Sequence, residues 1–201
     1  MDQCDKTIIN PIEDLSIISL SNILSIEDEK KRNRILRSFE PHEKADDDLK
    51  DFWENKAVDY QMEGISSTHL CLNTKMEVMG FFSLAIKSVD IKSFSKEHKE
   101  KIYPSLKDKK PRFMAYYLLG QLCKSKKLIS SNSYSIGRYL VDSALEKMKE
   151  AKKIIGGSIA MVDAINNESI IKMYEDMAFL KLNENKSTKK TVKMIKYLLD
   201  D

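Results

Sequence analysis

Lys124, Lys126 and Lys127 precede the stretch Asn132-Ser133-Tyr134-Ser135-Ile136-Gly137-Arg138, so four cations surround a short run of small and hydroxylic residues. At the start of a helix such a run presents unpaired backbone N–H groups and partial positive charge, which together bind phosphate. The same residues also suit an ordinary serine-capped helix after a surface loop. Downstream, Tyr174 stands among Ile170, Met173 and Met177. A phenol with a reference pKa of about 10 is protonated at neutral pH and can act as a general acid. An aromatic on that apolar helical face is equally at home in a core. His69 and Cys71 fall on one face of a strand, as a base and nucleophile would, but a half-buried histidine beside a small apolar cysteine fits the pattern better. Cys123 also fits as packing. Cys4, His42, His69, Cys71, His98 and Cys123 lack metal-ligand spacing, so no metal is expected.

These residues must be positioned by regular elements. Asp46-Asp47-Asp48 lead into Leu49, Phe52, Trp53, Ala57 and Tyr60, with Gly64 beyond, which predicts a helix with one buried face. Thr68–Leu72 and Glu77–Ile86 predict an antiparallel hairpin around Asn73-Thr74-Lys75. Residues 87–111 form a Lys-rich excursion bounded by Pro104 and Pro111. Phe113–Cys123 predicts a third strand. Ile136, Tyr139, Leu140, Ala144, Leu145, Met148 and Ala151 recur at steps of three and four, predicting an amphipathic helix that Gly156-Gly157 stop. Ser158–Ala164 reads as a fourth strand, and Asn166-Asn167 cap a short helix. Phe179–Leu182 and Thr191–Leu199 suit a closing hairpin. A helical crossover makes the strands at Phe113 and Ser158 parallel neighbours, and ligands of such sheets lie at the strands' carboxyl ends.

The chain has 201 residues, 42% hydrophobic and 32% charged, with 6 Gly and 4 Pro. That is enough for one packed domain and excludes wholesale disorder or a linker-dominated architecture. No apolar run approaches a membrane span, and the first residues lack the basic and apolar regions of a secretory signal. Three widely spaced cysteines imply no disulfide framework, so a soluble protein of the cytoplasm is expected. Residues 1–63 carry a net −7 and residues 64–201 a net +10. A basic body fits an anionic ligand such as a nucleotide or nucleic acid, and equally a Lys-rich solvated surface. The run from Lys96 to Arg112, with 7 basic and 3 acidic residues, leaves the same two alternatives.

Several segments, in order, resemble one family: Gly120-Gln121-Leu122, then Ser135-Ile136-Gly137-Arg138, then Ile155-Gly156-Gly157, then Tyr174-Glu175-Asp176-Met177-Ala178-Phe179. They are similar to the GNAT family of acetyl-CoA-dependent N-acetyltransferases. Asp48-Leu49-Lys50-Asp51-Phe52-Trp53 with Lys56-Ala57, and Gly80-Phe81-Phe82-Ser83-Leu84, extend the likeness to the branch of aminoacyl-tRNA-acetylating toxins and their bacterial relatives. The likeness covers about residues 46–182. It implies an α/β (α+β) fold: a mixed, mostly antiparallel central sheet with a strand–helix–strand cofactor unit and flanking helices. A GNAT-like domain over residues 46–201 would follow a helical arm over residues 1–45.

The resemblance further implies acetyl-CoA as co-substrate, held by Leu122, Cys123, Lys124, Asn132, Ser133, Tyr134, Ser135, Ile136, Gly137, Arg138 and Asn167. Backbone amides at Leu122 and Cys123 would hold the thioester, and Tyr174 would protonate the departing thiolate. The acceptor would be a primary amine, with the α-amine of an aminoacyl-tRNA as one candidate and a homodimer as a candidate assembly. The family's pyrophosphate loop reads Arg/Gln-x-x-Gly-x-Gly/Ala. Here Asn132, Ser135 and Gly137 occupy those places, so only the last matches. Ala178 stands where Gly usually precedes the Phe. A catalytically degenerate GNAT-fold protein that binds acyl-CoA or a partner is the alternative.

Overall fold

The computed structural model describes residues 14–41, 47–102, 111–128, 133–182 and 190–198. The chain opens with strand β1 (Ser16–Ser19), then helices α1 (Leu20–Leu24) and α2 (Glu29–Arg37). Asp28 caps α2, its side chain accepting from the Lys31 N–H. Helix α3 (Asp47–Asp51) continues through one π-turn (Phe52–Lys56) into α4 (Ala57–Met62). The wider turn lets Phe52 and Trp53 both stack on Phe81, at 6.0 and 4.9 Å between ring centroids. Gly64, at φ +68°, ends the helical stretch in the left-handed conformation that glycine adopts freely.

Strands β2 (Ser67–Leu72) and β3 (Val78–Asp90) form the expected hairpin, followed by α5 (Lys96–Ile102) within the excursion. Strand β4 (Phe113–Lys124), helix α6 (Ser133–Ile155) and strand β5 (Ile159–Ile165) make the strand–helix–strand unit. Helix α7 (Glu168–Asp176) and strands β6 (Leu180–Lys181) and β7 (Thr191–Tyr197) are the last of the described elements. The sheet has seven strands in the order β1-β2-β3-β4-β5-β7-β6. Among the described strands only the β4–β5 contact is parallel, as a crossover helix requires.

The sheet is covered on both faces. On one, α6 and α7 bury Ile136, Leu140, Val141, Ala144, Met148 and Tyr174 against Phe82, Leu119 and Val162. On the other, α1, α2 and the α3–α4 stretch cover Leu70, Leu72, Phe81 and Cys123, while α5 covers Met114, Ile159, Met161 and Ile195 further along. Gly80 allows α6 to sit close to β3. A Cβ there would come 2.8 Å from the Cys123 carbonyl oxygen and 3.0 Å from a Leu140 methyl.

Candidate functional site

β4 changes character part-way along. Tyr117, Leu118 and Leu119 pair with Ala160, Met161 and Val162 of β5, and the pairing then stops, although both strands run on. On its other side β4 stays paired to β3 as far as Lys124, with one irregularity: Leu84 faces Leu119 while Ser83 faces Gln121. Gly120 is the extra residue, a β-bulge where β4 leaves β5. Bulges bend a strand and increase its twist, so β4 and β5 diverge beyond this point and leave a gap.

The ladder fixes which groups face that gap. The Ser125 N–H donates to the Met79 carbonyl on the β3 side at 2.8 Å. Alternate residues of an antiparallel strand send both backbone groups to the same neighbour. Cys123 therefore addresses β3, whereas Leu122 and Lys124 turn their amides toward the gap. A strand edge that has parted from its neighbour can accept an extended ligand by backbone hydrogen bonding. The Leu122 side chain packs on the α6 face, and Cys123 lies on the opposite face with Phe81.

The first turn of α6 lies beside the end of β4. Ile136 is buried in the core, so its backbone alone is available to a ligand. Gly137 is buried too, and a Cβ there would meet the Met173 sulfur at 3.4 Å and Lys124 Cδ at 3.9 Å. Lys124 thus runs along the first turn of the helix, and burial lowers the pKa of its ammonium. Arg138 is half-buried one residue further on. Ser133, Tyr134 and Ser135 form the opening of α6, and Asn132 lies outside the described residues. An amide-bearing helix start with a cation beside it can hold a phosphate.

The other two lysines near the loop are engaged elsewhere. Lys126 pairs with Glu40 at 2.6 Å, and Lys127 stands 4.0 Å from Glu40 and 3.7 Å from Glu77. The Lys126 N–H also donates to the Glu40 carbonyl, and Pro41 forms a β-bridge with Ser125. Residues 38–41 thereby clamp the exit of β4, a contact between segments far apart in sequence that no local pattern announces.

Tyr174 is 4% exposed and meets Phe179 edge-on at 5.2 Å. Burial raises its phenol well above the usual range, so the hydroxyl keeps its proton throughout the physiological range. It shares one cluster with Ile136, Val162 and Ala164, and Leu122 packs against that cluster. The hydroxyl is thus carried on the α6–α7 side, toward which Leu122 points. Asn167 is committed as the α7 cap: its Oδ1 accepts from Ser169 N–H at 3.0 Å and from the Ser169 hydroxyl at 2.6 Å. Ala178 holds φ +62° at the end of α7 without glycine's freedom. Lys196 stabilises that end by donating to the Met177 carbonyl at 2.6 Å.

The His69–Cys71 pair has no nucleophile character. Burial pushes the Cys71 thiol up to about 12 and His69 down to about 4. His69 stacks on Phe82 and its Nε2 lies 3.3 Å from the Ser67 hydroxyl. Among the described residues no three His, Cys, Asp or Glu side chains gather as a metal site, and no helix is long and apolar enough to cross a membrane.

No family sequence model matches the chain, and no curated protein matches it in sequence. Solved structures do match in three dimensions. AtaT complexed with acetyl-methionyl-tRNAfMet superposes with a TM-score of 0.65 at 17% identity, covering 90% of this chain and 94% of that one. A tyrosine-to-phenylalanine mutant of KacT gives 0.68 at 16% identity, covering 92% and 95%. AtaTR bound with acetyl-CoA gives 0.63 at 16% identity, covering 93% and 95%. The chain has the GNAT fold. Within the GNAT fold, the β4–β5 parting and the start of α6 lie at the carboxyl ends of the parallel strands, where open α/β sheets take their ligands.

Proposed function

We propose that this protein is an N-acetyltransferase that moves an acetyl group from acetyl-CoA to a primary amine, the α-amine of an aminoacyl-tRNA. One observation carries the reading: β4 leaves β5 at the Gly120 bulge and turns the Leu122 and Lys124 amides into the gap beside the α6 N-terminus. The residues fit the ligand. The gap suits an extended pantetheine, the α6 start with Lys124 and Arg138 suits a diphosphate, and Gly137 leaves the helix face low. A solved relative of the fold holding acetyl-CoA, and another holding an acetylated aminoacyl-tRNA, support both halves.

In this scheme the Leu122 amide donates to the thioester oxygen, and a fixed donor of that kind is worth about 3 kcal/mol to the transition state. Tyr174 donates its hydroxyl proton to the departing sulfur as the C–S bond breaks, and the proton shed by the attacking amine restores the phenol. The burial that raises the phenol also disfavours a naked thiolate in the same apolar surroundings, so donation remains matched. Cytoplasmic action and a neutralising antitoxin partner belong to the same proposal, the latter because an AtaT mutant was solved with the C-terminus of the antitoxin AtaR. A second reading, a GNAT fold that binds acyl-CoA without turnover, is favoured by Ser135 in place of a loop glycine and by the ion-paired Lys126 and Lys127. Incubation with acetyl-CoA and charged tRNA separates the two. Acetylated aminoacyl ester is expected, and its absence despite calorimetric binding of acetyl-CoA would favour the second reading.

A further inference from the structure

Helix α2 is the most cationic short element in the described chain: nine residues carry Lys30, Lys31, Arg32, Arg34 and Arg37 against a single Glu29. Arg32 turns inward and donates to the Ile26 carbonyl at 3.0 Å. Lys30, Lys31, Arg34 and Arg37 are exposed, and none forms an ion pair with a described residue. By contrast, Lys56, Lys101, Lys126, Lys181 and Lys193 each have a carboxylate partner. The acidic neighbours do not cancel the stripe. Asp28 is occupied in capping, Glu29 faces Asn33, and Glu40 is held by Lys126. Glu27, Asp28 and Glu29 all stand at the helix start, so positive potential grows toward its C-terminal end.

Lys30, Arg34 and Arg37 follow steps of four and three and so form one stripe. At about 1.5 Å per residue the stripe is about 10 Å long, the axial length of about three phosphates on one strand at about 3.4 Å each. Its end leads directly to the candidate site. Val78 N–H donates to Ser38 Oγ at 2.8 Å, and Glu40 and Pro41 grip Lys126 and Ser125 at the exit of β4. α2 also presents no exposed large apolar residue: Ile35 is buried and Leu36 half-buried. A protein interface needs apolar anchors and a membrane-bound helix an apolar face, whereas a nucleic-acid backbone is held by charge alone.

We infer that the Lys30–Arg34–Arg37 face of α2 is a docking surface for an RNA phosphate backbone, guiding a polymeric acceptor to the β4–β5 gap. This rests on the aminoacyl-tRNA reading above. The test is anisotropy binding of deacylated tRNA by the full chain across a KCl series, with the Lys30→Gln/Arg34→Gln/Arg37→Gln variant alongside. Expected are an affinity loss of at least tenfold and a flattening of the log–log salt slope by about 2 to 3, with thermal melting and acetyl-CoA binding unchanged. Equal tRNA affinity and slope in the two proteins would overturn the inference. So would poly-glutamate binding the native chain as tightly as tRNA does, which would indicate an acidic protein partner. The two proposals fail separately: altered tRNA binding without any acetylated product would remove the acceptor reading and leave the docking face standing.

Discussion

The two halves of β4 behave oppositely. From Tyr117 to Leu119 the strand is paired on both edges and finished by tight contacts. The Tyr117 hydroxyl donates to the Gly156 carbonyl, and Gly157, at φ +98°, lies so close to that ring that a Cβ would stand 2.9 Å from it. Beyond Gly120 one edge has lost its neighbour, and the amides of Leu122 and Lys124 face a gap. The closed half fixes the sheet and the open half is available for a ligand. A single bulge separates the two, so stability and binding should respond to different substitutions along one strand.

The largest effect is expected in the open half. Tyr174→Phe should lower kcat by about two to four powers of ten, as loss of a general acid does, with acetyl-CoA affinity and melting temperature nearly unchanged. Steady-state rates beside a calorimetric titration measure the split, and a parallel loss of melting temperature would show Tyr174 to be a core aromatic only. Gly157→Ala attacks the closed half. Left-handed strain and the Tyr117 clash should together cost about 3 kcal/mol in denaturant unfolding, while the activity per folded molecule is retained.

A smaller effect is tied to pH and lies away from both halves, on β2. His69 has its folded pKa depressed to about 4 from 6.5 by burial, so the unfolded chain takes up the proton first as pH falls. Stability is full above about pH 6.5 and declines toward pH 4, by about 1 to 2 kcal/mol after allowing for partial exposure. His69→Phe keeps the stack on Phe82 and should flatten that part of the pH–stability curve; an unchanged slope would assign it to other groups.

Much of this fold was legible because its elements repeat apolar residues at strand or helix spacing over long stretches. The α6 pattern from Ile136 to Ala151 and the run Phe113–Cys123 are such cases, and both formed where expected. The parallel β4–β5 contact followed from the crossover helix alone. The site was only partly legible. Gly120, a lone glycine within a strand pattern, is at most a hint of a bulge, because the bulge itself arises from register against β3. Sequence alternation does not say which neighbour an amide faces, so Leu122 and Cys123 looked equivalent, although only Leu122 turns to the gap. Lys126 and Lys127 looked like cations for a phosphate, but Glu40 and Glu77 come to them from distant segments. The charge-dense run from Glu27 to Arg37 suits a helix, but the cationic character of α2 was masked by averaging, because it sits within a stretch whose net charge is negative.

Backbone amide spectra recorded during an acetyl-CoA titration test the divided strand most directly. The account predicts shifts concentrated at Leu122, Lys124, Gly137 and Arg138, with Met114 to Leu119 left in place. Shifts confined to the paired half, or none at saturating ligand, would contradict it.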